Sequence, residues 1–142
     1  MNTSKLDELK SLISGVVAVS GDPVYEKASK MFVHTVAPSI VVRPSSSQDV
    51  AATIRFAKEH GLDLAIRSGG HSNIANRLAE GILLIDLSGI ASTEVIDPRQ
   101  GLVRVGAGAQ WYEVASVLDK HQLGISSGDT RTVGVGGLAT GA

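Results

Sequence analysis

Residues 40–67 read IVVRPSSSQDVAATIRFAKEHGLDLAIR, and this stretch decides the fold class. The β-branched run at 40–42 predicts a strand, and the polar residues at 46–49 have the spacing of a helix-capping box. An apolar series with helical period follows and stops at Gly61, which predicts a helix between these two points. The continuous apolar run at 64–66 predicts a second strand, buried on both faces. Strand, helix and strand form a βαβ unit, whose crossover is expected to be right-handed.

The segments on either side of this unit predict further elements. Ser4 and Asp7 have capping-box spacing ahead of an apolar face, which predicts a helix over about 4–14. Residues 22–35 show no clear period and are predicted to form a loop with at most a short helix. The apolar run at 82–85 predicts a third buried strand. The first half of the chain is therefore expected to form a small parallel layer.

The second half of the chain has a different pattern. Strand signals at 94–96 and 102–105 flank a strong turn signal at 97–101, which together predict a hairpin. A helix is expected over about 110–121, and the tail after Gly124 has no period that predicts regular structure. The predicted fold class is α+β, in which a small parallel βαβ layer is followed by the start of an antiparallel layer.

The composition excludes several classes of function. The chain has 142 residues, no cysteine and a formal net charge of -1 from 13 Lys+Arg and 14 Asp+Glu. Without cysteine there is no disulfide framework, cysteine-based zinc site or thiol nucleophile, and no metal is expected. A charge balance near zero with only 4% aromatic residues predicts no nucleic-acid partner. The charged amino-terminal residues do not resemble a signal peptide, and no apolar stretch reaches the length of a membrane span. We therefore expect a soluble, cytoplasmic chain with no membrane partner.

A polar loop leaves the carboxyl end of the second predicted strand, and it reads Arg67-Ser68-Gly69-Gly70-His71-Ser72. Open α/β sheets bind ligands at that edge. The paired glycines allow successive amides to converge on a phosphate or diphosphate, the serines add hydroxyl donors, and Arg67 adds a positive charge. His71 is the nucleophilic side chain of the loop, since a neutral imidazole can attack an electrophilic carbon. The same residues also suit a tight turn with a solvated histidine.

A second glycine cluster lies at 134–137, in the tail. It has the spacing of a dinucleotide-binding fingerprint. We reject that interpretation because the fingerprint needs an acidic residue about twenty positions later, inside a βαβ unit. The cluster remains a second amide-rich stretch, preceded by the polar residues Asp129, Thr130 and Thr132. A flexible terminus is the alternative interpretation of the same composition.

Together these motifs resemble the FAD-linked oxidases of the p-cresol methylhydroxylase and vanillyl-alcohol oxidase superfamily, and especially their berberine-bridge-enzyme-like branch. The resemblance spans about residues 38–142, and its motifs occur in the order of the family. They are Pro38 to Pro44 leading to Asp49-Val50, then Arg67 to Ser72, Ile85-Asp86-Leu87-Ser88, Val103 to Ala109, and Thr132 to Gly137.

The resemblance implies a PCMH-type FAD-binding fold, with the FAD diphosphate on the loop at 68–72 and on the backbone at 134–137. It implies a covalent bond between His71 and the 8α-methyl carbon of the flavin. Members with two flavin tethers carry a cysteine where this chain has Thr130, so a single histidyl linkage at most is expected. Leu138 stands where many members have histidine. The cofactor-binding residues implied are Arg67, Ser68, Gly69, Gly70, His71, Ser72, Asp129, Thr130, Thr132, Val133, Gly134, Gly136 and Gly137.

Family members continue into a substrate domain that carries the catalytic base, so residues 1–142 are expected to be a partial FAD-binding domain. Tyr25 and Tyr112 match no catalytic position, and no catalytic residue is assigned. The full enzyme would transfer hydride from a small-molecule substrate, at a C–H next to oxygen or nitrogen, to flavin N5. Two alternatives remain: a truncated non-catalytic module that binds FAD or a partner chain supplying the missing half, and a non-redox protein that binds a nucleotide diphosphate.

Overall fold

The computed structural model describes residues 3–72 and 81–141, in which helices and strands form two layers. In chain order, the elements are α1 (Thr3–Leu12), β1 (Val16–Ala18), α2 (Pro23–Ser29), β2 (Ile40–Arg43), α3 (Ser47–Glu59), β3 (Leu64–Arg67), β4 (Leu83–Asp86), β5 (Thr93–Asp97), β6 (Leu102–Val105), α4 (Trp111–Leu118) and α5 (Val135–Gly141). None of the helices within the described residues is long and apolar enough to cross a membrane.

The first layer is a four-stranded sheet in the order β1-β2-β4-β3. The strands β2, β4 and β3 run parallel, as the βαβ pattern predicts, and β1 pairs with β2 in the antiparallel direction. All residues of β4 are buried because this strand lies between two others. The sequence does not predict β1, since this strand has three residues and Val16 continues the apolar period of α1.

The prediction that β3 is buried on both faces is wrong. Leu64 and Ile66 are 36% and 63% exposed, whereas Ala65 is buried. The strand lies at the edge of the sheet, and its exposed residues pair with Leu83 and Ile85 of β4. Neither residue belongs to the hydrophobic core on that face of the sheet, so this face of β3 remains partly open.

Helices cover the two faces of this sheet unequally. On one face, α1 and α3 pack over the parallel strands, with Leu9, Ile40, Val42, Phe56, Ala57, Leu83 and Ile85 buried between them. On the other face, α2 packs over Val41, Ala65 and Leu84. The predicted helices over 4–14 and between 46–49 and Gly61 are confirmed as α1 and α3. The segment 22–35, predicted as a loop with at most a short helix, contains α2.

The second layer is the predicted hairpin, in which β5 and β6 pair in the antiparallel direction. Against it packs α4, which buries Val114 and Leu118, and a 3-10 turn extends the helix to His121. The tail was expected to lack regular structure, but it forms α5. Its amides at Val135 and Gly136 donate to the carbonyls of Ala109 and Ala107, so tertiary backbone bonds direct a segment that has no apolar period. The α+β class of the prediction is confirmed.

Asp49 joins the start of α3 to the segment before β1. The residue is buried, with 4% of its surface exposed. Its carboxylate accepts hydrogen bonds from the amide of Ser14 (2.9 Å) and from the amide and hydroxyl of Ser45 (both 2.8 Å). Burial is the largest single effect on this carboxyl and opposes ionisation. The hydrogen bonds from Ser14, Ser45 and Gly15 together outweigh burial, so the pKa of Asp49 lies below its ordinary value of 3.8.

Replacing Asp49→Asn is expected to lower the free energy of unfolding at pH 7 by about 1.5–3 kcal/mol, because charge-assisted hydrogen bonds are lost. The folded-state pKa is below the unfolded one, so the Asp49 contribution is complete above about pH 4 and is lost as the pH falls through the folded value. Urea unfolding at pH 7 and in acid, below the folded-state pKa, should therefore show a difference in unfolding free energy between the wild type and Asp49→Asn that is smaller in acid. The exposed Asp7→Asn is the control, and a pH-independent gap would contradict the assignment.

Candidate functional site

An ion cluster joins the carboxyl ends of the three parallel strands. Asp86, the last residue of β4, is fully buried and accepts hydrogen bonds from Arg67 Nη1 at 3.0 Å and Arg43 Nε at 3.2 Å. The hydroxyl of Ser88 adds a third bond, at 2.8 Å. Two guanidinium groups and one carboxylate leave a net charge of +1 at this edge of the sheet. Arg67 is thus not the free cation that the sequence suggests, because it shares a carboxylate with Arg43.

The roles of Arg43 and Asp86 were not predicted, although the sequence contains a signal for them. Each charged residue directly follows a buried apolar run, at 40–42 and 82–85. The carboxyl ends of parallel strands meet at one edge of a sheet, so side chains at these positions lie close together. Opposite charges at such positions therefore indicate an ion pair below the ligand-binding edge.

The loop at 67–72 leaves β3 directly above this cluster. Gly70 has φ +76°, and a Cβ there would lie 3.0 Å from Arg67 Nε and 3.2 Å from Met31 Sδ, so the turn requires glycine for both conformation and space. The hydroxyl of Ser68 donates to the carbonyl of Ala107 at 2.6 Å. This bond fixes the loop to the segment after β6 and uses the hydroxyl proton that the sequence suggested as a ligand donor.

The two predicted glycine regions come together in the structure. The first region is the loop at 67–72, and the second is the stretch at 132–137. The backbones of Gly69 and Gly134 are so close that a Cβ on either would collide with the other's amide nitrogen. His71 Nε2 lies 3.0 Å from Thr132 Oγ1, across 61 positions of sequence. The amide of Trp111 donates to the carbonyl of Val133 at 3.2 Å, which anchors the second region to α4.

A cavity of about 350 Å³ opens between the two regions. Its lining includes most of the predicted residues, namely Arg67, Ser68, Gly69, Gly70, His71, Ser72, Val133, Gly134 and Gly137, together with Met31, Ile66, Leu138 and Gly141. The remaining predicted residues lie outside this lining. Asp129 and Thr130 bond to each other at 3.2 Å, Gly136 packs against Ala107, and Thr132 reaches His71 from the rim.

The residues around this cavity fit a diphosphate group. Within the described part of the chain, no backbone hydrogen bond uses the amide of Gly69 or Gly70, and both residues line the cavity. Arg67 lines the cavity, and its Nε is buried with no hydrogen-bond partner among the described residues. The volume lies within the usual range of small-molecule pockets. In the second region, Val135 and Gly136 use their amides in backbone bonds, whereas no backbone bond among the described residues uses the amides of Gly134 and Gly137.

Phe32, which lies in the segment predicted as a loop and has no predicted role, packs against the first region. Its ring stacks on the His71 imidazole, with the ring centroids 4.5 Å apart and an angle of 19° between the planes. Its amide donates to the carbonyl of Gly70 at 2.9 Å. No period or motif in residues 22–35 indicates this contact, because it joins segments far apart in sequence.

Comparison with protein families identifies the family to which this chain belongs. The family described as FAD binding domain matches residues 38–142. The chain belongs to this family of FAD-binding domains. FAD is therefore the cofactor, and the resemblance inferred from the motifs is confirmed. Neither a non-redox diphosphate-binding protein nor a non-catalytic module is favoured by these matches.

Similar proteins and structures are flavoenzymes of greater length. An FAD-dependent monooxygenase of Fusarium proliferatum is 35% identical over 105 residues, covering 73% of this chain and 20% of that protein. Tetrahydroberberine oxidase of Argemone mexicana is 32% identical over 114 residues, with the same two coverages. The crystal structure of 6-hydroxy-D-nicotine oxidase from Arthrobacter nicotinovorans matches with a TM-score of 0.78 at 27% identity, covering 86% of this chain and 27% of that one. The chain thus spans about a fifth of the length of these two curated relatives.

The ion cluster generates a stability prediction. Replacing Asp86→Asn leaves two partly buried guanidinium groups without a counter-charge, and we expect a loss of about 3–5 kcal/mol in urea unfolding. Glu94→Gln is the matched control, because it breaks the Arg104–Glu94 pair, whose side chains are 71% and 64% exposed. That variant should lose less than about 1 kcal/mol. Equal losses in the two variants would show that the cluster does not organise the sheet edge.

The contact of the two glycine regions generates a binding prediction. Replacing Gly134→Ala places a Cβ against Gly69 and the hydroxyl of Ser68, which must separate the regions. We expect FAD affinity in a calorimetric titration to fall by at least about tenfold. Gly124→Ala, where a Cβ meets nothing within 4 Å, should bind as the wild type does. Unchanged affinity in Gly134→Ala would place the cofactor elsewhere.

Proposed function

We propose that this chain is the FAD-binding part of an FAD-dependent oxidase or monooxygenase that acts on a small molecule, and that His71 bonds covalently to the flavin. The observation that supports this most directly is the position of His71. The histidine lines the cavity formed by both glycine regions, directly after the amides of Gly69 and Gly70. One loop therefore carries both diphosphate donors and a nucleophile.

The roles of the chain's residues follow from their contacts. The amides of Gly69, Gly70 and Gly134 would hold the diphosphate, and the residual charge of the Arg43–Asp86–Arg67 cluster would favour it. Apolar side chains of Met31 and Ile66 line the same cavity and would contact a less polar part of the cofactor. When bound, FAD supplies the redox chemistry, namely acceptance at N5 of hydride from a substrate C–H next to oxygen or nitrogen.

The substrate domain is proposed to lie outside these 142 residues. Support comes from the relatives, of which the matched region is about a fifth, and from their names, which include a tetrahydroberberine oxidase and an (R)-6-hydroxynicotine oxidase. Residues 1–142 are accordingly assigned to a partial FAD-binding domain, completed by further sequence or by a partner chain. No residue of this part is assigned as the catalytic base.

A single covalent linkage is proposed, because the chain has no cysteine and Thr130 stands at the position of the second tether. The test is acid precipitation of the protein after incubation with FAD, followed by flavin fluorescence of the washed pellet. Wild type should keep its flavin and His71→Ala should lose it, because Thr130 stands where the second tether would be. The exposed His121→Ala is the control and should behave as wild type. Undiminished flavin in His71→Ala, or none in wild type, would contradict the covalent role.

A further inference from the structure

Phe32 is an unusual residue because its large apolar side chain is exposed and yet held in place. The residue is 68% exposed, the most of the large apolar residues that the structure describes. It lies on a tight turn closed by the bridge between Lys30 and Thr35 and by the bond from the Met31 amide to the His34 carbonyl at 2.8 Å. A further bond, from the Phe32 amide to the Gly70 carbonyl at 2.9 Å, docks this turn on the loop that carries His71. Backbone bonds rather than burial therefore hold the backbone of Phe32 beside the loop that carries His71.

The Phe32 ring restricts one degree of freedom of His71. The two rings are stacked, with a centroid distance of 4.5 Å and an interplanar angle of 19°. A parallel aromatic neighbour favours the orientation in which the two ring faces meet, so it limits rotation of the imidazole about its own side-chain bond. Phe32 belongs to neither hydrophobic core of the sheet. Among the described residues, the aromatic contact of its ring is the one with His71.

Thr132 restricts a second degree of freedom. Its Oγ1 lies 3.0 Å from His71 Nε2, so the hydrogen bond distinguishes one edge of the imidazole from the other. Nδ1 bonds to no residue among those described, and His71 lines the cavity. The Thr132 hydroxyl can donate to a bare Nε2 or accept from Nε2–H, so the direction of this hydrogen bond and the tautomer of His71 are coupled. If Nε2–H donates to Oγ1, the lone pair resides on Nδ1.

We propose that Phe32 and Thr132 are positioning residues for His71, where Phe32 fixes the plane of the imidazole and Thr132 accepts a hydrogen bond from Nε2–H, which leaves the Nδ1 lone pair free to bond. The consequence for flavin attachment rests on the proposed function. The orientation of His71 does not, since both contacts of the ring exist in the chain without cofactor, and the tautomer is tested on that chain.

The tautomer matters because of the bond that forms. The Nδ1 lone pair of His71 forms a C–N bond to the 8α-carbon, one C–H proton of that methyl group leaves, and the Nε2 proton leaves as well. The electron pair of the broken C–H bond stays with the flavin ring. Dioxygen then takes these two electrons and two protons and becomes hydrogen peroxide. Thr132 Oγ1, as acceptor, supports the Nε2–H group while positive charge develops on the ring.

The first part of the test is nuclear magnetic resonance of the chain without FAD, at about pH 8, where an ordinary imidazole is neutral. The His71 ring protons should be shifted upfield by the Phe32 ring, and nitrogen shifts should report a protonated Nε2 and a bare Nδ1. Phe32→Leu should abolish the proton shift, and Thr132→Val should lower the Nε2–H fraction to that of a solvated imidazole, which itself favours this tautomer but incompletely. Val33→Ala, a neighbouring residue that is 60% exposed, is the control and should change neither.

The second part measures covalent attachment, as the rate at which acid-stable flavin accumulates with saturating FAD, beside the dissociation constant for FAD before attachment. We expect Phe32→Leu and Thr132→Val each to slow attachment at saturating FAD by about tenfold or more, a loss that a change in the dissociation constant does not produce when the site is saturated. Thr132→Ser keeps the acceptor and should restore the wild-type rate. A structural role alone would weaken binding and attachment together and would not distinguish serine from valine.

The outcomes separate the two proposals. A His71 without the upfield shift, or with the proton on Nδ1, overturns the positioning role, as does a normal attachment rate in both variants. Wild type that shows both signatures but never becomes acid-stable overturns the covalent role of His71 and supports the orientation. Attachment that is slowed in the two variants and restored by Thr132→Ser supports both proposals.

Discussion

The bonds between the Asp86 carboxylate and the two arginines connect the sheet to the site. A fully buried carboxylate carries a desolvation penalty of several kcal/mol, which only well-formed hydrogen bonds can offset. Asp86 offsets it with Arg43, Arg67 and Ser88, one residue from each of two neighbouring strands and one from the turn that follows its own. Because these partners are at the carboxyl ends of the strands, the register of the whole parallel layer is coupled to the place where the ligand loop begins.

The second constraint is the close approach of the two glycine regions. Gly69 and Gly134 touch backbone to backbone, which is possible only without side chains. The approach also depends on the second layer, since Ala107 and Ala109 accept bonds from the amides of Gly136 and Val135. The hairpin and α4 therefore take part in the site without contributing a side chain to the cavity lining. Their backbone bonds hold the second region beside the first.

The local sequence pattern predicts most helices and strands, but it does not predict which of them are buried or what they contact. The sequence predicts β2, α3, β4 and the hairpin, because capping residues and apolar periods act over a few neighbouring positions. Burial of β3 was mispredicted because an edge strand and a central strand have the same apolar run, and their difference arises from sheet order. The helix α5 was missed because bonds to a distant segment organise it. Both glycine regions were found from sequence, whereas the contact of Phe32 with His71 leaves no sequence signal.

The site depends mainly on backbone groups, which explains why the overall composition of the chain does not indicate it. The chain has a net charge of -1, and its candidate diphosphate site depends on backbone amides and one residual positive charge shared by three residues. Such a site recognises shape and hydrogen-bond direction more than charge, and its hold on an anion has no strong long-range component. A covalent bond through His71 would compensate for that, because it makes retention of the cofactor independent of the strength of these contacts. The orientation of one imidazole then matters more to the proposed flavoprotein than any further cation in the cavity would.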